Sequence, residues 1–123
     1  MTSGMEKIFV IEKRGNVDIV HFLAQRLTDP VLADNIKEYL LKTAEEGKIH
    51  LIIDFSNVQY LSSSYLSILV ALDKKVKFEG GSVNICCLNR NISSIFSIAR
   101  FDTIFDIFGS ENDAVTDMES KIR

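Results

Sequence analysis

The 123-residue chain predicts one α/β domain, built on a mixed sheet of about five strands with about four helices that cover one main face. Three observations carry that prediction. The turn pair Gly15-Asn16 separates two alternating apolar runs, a wholly apolar run "IHLIIDF" follows at mid-chain, and helix-like and strand-like stretches alternate from there to the end. A hairpin followed by such alternation makes a mixed sheet, because each parallel crossover needs a helix between its strands and right-handed crossovers dominate. The length suffices for a sizeable core but leaves no room for a second domain. The domain is therefore expected to span 1–123, with its core from about residue 6 to about 121.

The elements follow in order. "KIFVIEKRGNVDIVHFLAQRL" reads as a β-hairpin of half-buried strands around Gly15-Asn16, residues that tolerate positive φ. "DPVLADNIKEYLLKTAEEGK" sets Leu32, Ile36, Leu40 and Thr43 at helical spacing, with Asp29-Pro30 as cap and first turn and Gly47 as the stop. Ile49 to Phe55 is too apolar for a one-sided strand and too short for a helix, so a central buried strand is expected there. After "SNVQYLSSS", a second helical stripe runs through Tyr65, Leu69, Leu72 and Val76 to Gly80-Gly81. "VNICCL" is a fourth strand, and "NISSIFSIARF" returns to helical spacing at Ile92, Ile95, Phe96 and Ala99. "TIFDIF" reads as a short fifth strand, and "SENDAVTDMESKIR" as a last helix capped by Ser110.

Composition narrows the function. With 14 basic and 17 acidic residues spread along the chain, the net charge is −3, and no basic patch points to nucleic acid or an anionic membrane. No apolar run approaches the roughly 20 residues of a membrane span, and "MTSGMEKIF" lacks a signal-peptide core, so a cytoplasmic location is expected. Adjacent Cys86 and Cys87 in a strand face opposite ways and read as core-filling thiols, suited neither to a metal nor to a structural disulfide. His21 and His50 sit inside predicted strands, where packing or solvent-facing roles fit, and Asp54 and Asp102 near strand ends suit turn and cap hydrogen bonds. Nucleophile-elbow, phosphate-loop, dinucleotide and metalloprotease patterns are all absent from the sequence, so no enzyme and no cofactor is expected.

The serine run Ser62-Ser63-Ser64 carries the more specific signal. A helix leaves its first N–H groups without internal partners, and one serine, Ser62 or Ser63, suffices to cap them. The other hydroxyls then lie in the first turn at the carboxyl end of the sheet, where loops reach the surface. A phosphate there meets the positive end of the helix dipole and leaves the domain folded, while adding about −1.5 to −2 charge to whatever docks. A plain cap with polar neighbours and a modified docking surface are both open on these grounds.

Taken together, the hairpin, "LIIDFSNVQYLSSSYLSILVAL", "GGSVNICCLN", "ISSIFSIARFDTIFDIF" and "SENDAV" resemble the STAS domain family, and within it the bacterial anti-sigma factor antagonists, from about Glu6 to Val115. In that family the buried strand leads through Asp-[Ser/Thr]-Ser-Gly-Leu-Gly into the second helix, and the residue after the Asp is phosphorylated by an anti-sigma factor that is itself a serine kinase. Aligned from Asp54, Val58 and Leu66, the resemblance implies Ser63 as phosphoacceptor, Ser64 as the next hydroxyl and Leu66 as the motif's Leu. The family's later apolar and acidic pattern falls on Ile92, Ile95, Phe96, Asp102, Ile104, Phe105, Ala114 and Val115. The chain departs from it where Ser62 replaces the Asp and Tyr65 and Ser67 replace the glycines.

The resemblance thus implies a partner-switching antagonist that binds an anti-sigma factor serine kinase when unphosphorylated and is released by phosphorylation of Ser63. A serine phosphatase is a further implied partner. The contact is expected around Thr28, Asp29, Asn57, Ser62, Ser64 and Tyr65, which cluster at one end of the predicted sheet, with Ser62 as cap and Tyr65 as a candidate anchor. A STAS scaffold without the switch, and a small nucleotide-binding protein, are the alternatives.

Overall fold

The computed structural model describes residues 8–47 and 49–122. Glu6, Lys7, Lys48 and Arg123, which the sequence reading assigned to the domain start, the hairpin, the end of the first helix segment and the last helix, lie outside the described residues. The chain runs β1 (Phe9–Arg14), β2 (Val17–Phe22), β3 (Arg26–Leu27), α1 (Pro30–Glu45), β4 (His50–Asp54), β5 (Tyr60–Leu61) and α2 (Ser63–Phe78). It continues through β6 (Ser82–Cys86), α3 (Arg90–Ile98), a 3-10 turn (Phe101–Thr103), β7 (Asp106–Phe108) and α4 (Glu111–Ile122). Five strands form a mixed sheet in the order β1-β2-β4-β6-β7, with β1 antiparallel to β2 and the other pairs parallel.

The hairpin closes where expected: Arg14 pairs with Val17 across Gly15-Asn16, and Gly15 takes φ +62°. Its second strand is not half-buried, however. β2 lies between β1 and β4 with only His21 partly exposed, because apolar Val17 and Ile19 fill one face while Val20 and Phe22 fill the other. The same two-sided burial in β4 corrects the expectation that helices cover one main face. Val20, Phe22, Ile53 and Ile85 pack with residues of α1, α2 and α3, whereas Val17, Ile19, Ile52 and Cys86 pack under Ala114, Val115 and Met118 of α4 on the opposite side. A sheet apolar on both faces needs a cover on both.

Two of the three caps expected from sequence, Asp29 and Ser110, are formed, and Asn89 adds one that the sequence reading did not name. Asp29 accepts from the N–H groups of Val31 and Leu32 at the start of α1, Asn89 from Ile92 N–H at α3, and Ser110 from Asp113 N–H at α4. Tyr65, Leu69, Leu72 and Val76 form the buried stripe of α2. The third helix runs from Arg90 to Ile98 and stops at Arg100, whose φ of +63° turns the chain into the 3-10 turn. Consequently "TIFDIF" is strand only over its last three residues. A file of rings, Phe22, Phe55, Phe96, Phe101 and Phe105, with successive centroids 5.3–6.1 Å apart, fastens α3 and the turn to the sheet.

Candidate functional site

The candidate residues are gathered by a feature with no periodicity to reveal it. β3 and β5, two residues each, pair in parallel, with Arg26 opposite Tyr60 and Leu27 opposite Leu61. Thr28-Asp29 and Ser62-Ser63 therefore leave this small ladder side by side. Ser62 N–H donates to Leu27 O at 2.9 Å, which ties the start of α2 to the start of α1. The loop bearing Asn57 is held from the other side, where the Asn89 amide donates to Val58 O and Gln59 O at 3.2 and 3.3 Å. Thr28, Asp29, Asn57 and Ser63 are exposed and Ser64 is half-buried.

Two expected roles are corrected. Ser62 stands at the N-cap of α2 in an extended conformation, but its hydroxyl makes no capping bond and is buried without a hydrogen-bond partner. Only its carbonyl closes the first turn, accepting from the N–H groups of Tyr65 and Leu66. The physical reason is the β3–β5 ladder: Ser62 arrives as the continuation of a strand, and its side chain is enclosed instead of lying over the helix end. Tyr65 is not a surface anchor. It is 4% exposed, its ring lies in the core, and its hydroxyl donates to Asp29 O at 3.1 Å. Burial pushes its phenol pKa up, and the nearby Asp29 carboxylate adds to that, so it remains a donor.

Ser63, the first residue of α2, opens onto a shallow groove of about 530 Å³ along the outer face of that helix. Leu66, Ser67, Val70, Lys74 and Phe101 line it, so the groove joins α2 to the 3-10 turn after α3. Ile98 and Ile104, flanking that turn in sequence, are also exposed. The groove has an apolar floor, a cation at one end and a serine at the other. Sequence reasoning named Leu66 and Ser67 only as motif positions; the outward face of an amphipathic helix becomes a groove only when a neighbouring element makes its second wall.

The remaining candidates behave differently. Asp54 performs the expected turn role, accepting through Oδ1 from Ser56 N–H at 2.7 Å and from the Ser56 hydroxyl. Burial raises its pKa, but hydrogen bonds with Glu111 and Ser56 outweigh burial and hold the carboxyl below its usual range. The same contact with Asp54, together with burial, raises Glu111. His50 Nδ1 lies 2.9 Å from Ser82 Oγ, and Asp102 sits exposed in the 3-10 turn. The expectation that Cys86 and Cys87 diverge is corrected: β6 ends at Cys86, Cys87 takes φ +68°, and both Sγ atoms lie within 4.8 Å of an Asp54 oxygen and of each other. Among the described residues, no helix is long and apolar enough to cross a membrane.

Comparison with known proteins agrees with this geometry. The sequence profile of the STAS domain matches residues 10–114. BtrV of Bordetella bronchiseptica is 22% identical over 90 residues, 73% of this chain and 78% of that one. The anti-sigma F factor antagonist of Paenibacillus polymyxa is 24% identical over 70 residues, 57% of this chain and 60% of that one. An anti-sigma factor antagonist (STAS) domain protein from Planctomyces limnophilus superposes with a TM-score of 0.81 at 18% identity, covering 90% of this chain and 97% of the other. The antagonist SpoIIAA in its unphosphorylated form gives 0.79 at 12% identity, over 91% and 96% of the two chains. At these identities the structural likeness speaks for the fold.

Proposed function

The chain belongs to the STAS domain family, and from that membership we propose that it is an anti-sigma factor antagonist, docking through the start of α2 and switched off by phosphorylation of Ser63. The observation that carries the reading is the setting of Ser63: exposed, first in α2, and on the rim of the groove that Leu66, Ser67 and Phe101 line. The relative from Paenibacillus polymyxa, named an anti-sigma F factor antagonist, supports the same class.

The physics of the switch is local. No side chain caps α2, so its first turn offers N–H groups and the positive end of the helix dipole to a phosphate on Ser63. The domain tolerates the modification. A docked partner does not, because about −1.5 to −2 charge then stands at the mouth of an apolar groove. The partner is an anti-sigma factor with serine-kinase activity, a phosphatase reverses the modification, and the exchange takes place in the cytoplasm. Thr28, Asp29, Asn57 and Ser64 border the contact. Tyr65 supports it from beneath through Asp29.

One observation favours a second reading, a STAS scaffold without the switch: the first turn of α2 carries no acidic residue, and Ser62, where the family motif has Asp, buries its hydroxyl. Incubation with ATP and a cognate anti-sigma factor kinase, followed by mass-spectrometric mapping, separates the two. A single phosphate on Ser63, absent from Ser63→Ala, is the expected result. Phosphate on Ser64 would move the assignment by one residue, and no phosphate on any of the three serines would leave the scaffold.

A further inference from the structure

On the opposite face from the groove, the carboxyl ends of β2 and β4 meet the start of α4. His21 and Asp54 are lateral neighbours in the parallel register, and Glu111 is the first residue of the helix above them. His21 Nδ1 lies 3.6 Å from Asp54 Oδ2 and 3.7 Å from Glu111 Oε1, and the three donor atoms all fall within 4.8 Å of one another. Those separations are too long for hydrogen bonds. They are close to the edge of a coordination tetrahedron, which for metal–ligand bonds of about 2.0–2.2 Å is about 3.3–3.6 Å.

Each of the three groups is also held from behind. His21 Nε2 is 2.8 Å from Glu12 Oε1, so an imidazole that donates its one proton there would present Nδ1 as an acceptor to an ion held with the two carboxylates. Arg14 Nη2 donates to Glu111 Oε2 at 2.9 Å and Ser56 donates to Asp54 Oδ1, so the inward oxygens are the ones that face His21 and, through the hydrogen bond between the two carboxyls, each other, where a bound ion would displace the shared proton. Three groups able to ligate a metal thus lie with their nearest atoms within 4.8 Å of one another, each oriented by an outer partner, as metal-binding histidines and carboxylates are. Glu12, Asp54 and Glu111 against Arg14 leave the surroundings negative. The side chains of His21, Asp54 and Glu111 are 25%, 6% and 22% exposed, sheltered yet reachable.

We propose that His21, Asp54 and Glu111 form a binding site for one divalent transition-metal ion of the zinc class, with a water completing its coordination. The ion would fasten the start of α4 to the ends of β2 and β4. Imidazole with carboxylates suits zinc over calcium or magnesium, which take oxygen sets. The site is separate from the groove beside Ser63, so it stands or falls independently of the switch.

The test is titration of the metal-free full chain with Zn2+ by calorimetry near neutral pH, together with nitrogen NMR of the imidazoles. One ion per chain is expected, with the His21 Nδ1 resonance shifting on addition and the Nε2 proton retained. His21→Gln and Glu111→Gln should each abolish that uptake while keeping the wild-type circular dichroism. Glu12→Gln, which keeps the ligands but loses the carboxylate behind the imidazole, should weaken it by about 10–100-fold. No saturable uptake by the wild type would overturn the proposal and leave the cluster as a polar network that ties α4 to the sheet. Uptake that survives His21→Gln would equally overturn it, and would move the ion to the thiols of Cys86 and Cys87.

Discussion

Tyr65 shows how one side chain can look like an interface residue while serving the core. Its ring belongs to the buried stripe of α2, and its hydroxyl crosses to the carbonyl of Asp29, the residue that caps α1. Tyr65→Phe removes only that bond, so it should lower stability by about 0.5–1.5 kcal/mol in denaturant unfolding. Affinity for an anti-sigma factor should not change by more than the accompanying loosening of the Thr28-Asp29 loop. The stripe spacing made the buried position of Tyr65 legible in the sequence; the substitution of a motif glycine by a large ring drew attention to its surface instead. Ser62 went the other way. Its residue type favours capping, but the geometry at that point is set by the hydrogen bond that Ser62 N–H donates to the carbonyl of Leu27, far upstream in the chain, for which a single stretch of sequence carries no sign.

Among the elements, α4 depends most on polar ties to the sheet. Asn84, fully buried in β6, donates to Ala114 O and Asp117 Oδ2 at 3.0 Å each and accepts from Lys121 Nζ at 2.6 Å. Hydrogen bonds from Lys121, and then from Asn84, hold the Asp117 carboxyl below its usual range in spite of burial. Because the folded value is depressed, Asp117 contributes stability above the unfolded aspartate value of about 3.9 and loses that contribution as the pH falls through the lower folded value. Urea midpoints recorded from about pH 5 down to about pH 2 should therefore fall further for the wild type than for Asp117→Asn. Equal losses in the two would mean that α4 is held by its apolar face alone. The existence and order of the longer elements were legible from periodicity and turn residues. β3 and β5 were not, since two residues make no period, and neither was the end of β6, where Cys87 adopts a left-handed conformation with no glycine to announce it.

For the molecule as a whole, the sheet separates two regions of different chemistry. One side carries α1, α2 and α3 and the groove beside Ser63; the other carries α4 and the His21, Asp54, Glu111 cluster. The mixed sheet was readable because wholly apolar runs such as Ile49 to Phe55 demand a central strand, whereas the STAS fold came from the resemblance of the stretches around the serine run and the later apolar and acidic pattern. The second covered face was less so, because an apolar run says that both faces are buried without naming what covers each. The central claim concerns the first side, that a phosphate on Ser63 controls docking without disturbing the fold. It is tested most directly by calorimetric affinity of the unphosphorylated and Ser63-phosphorylated chains for an anti-sigma factor, with circular dichroism recorded on both. The phosphorylated form should keep the same spectrum and bind more weakly by about 2–5 kcal/mol, the cost of an unpaired charge buried at an interface. Equal affinity of the two forms, with both folded, would contradict the account.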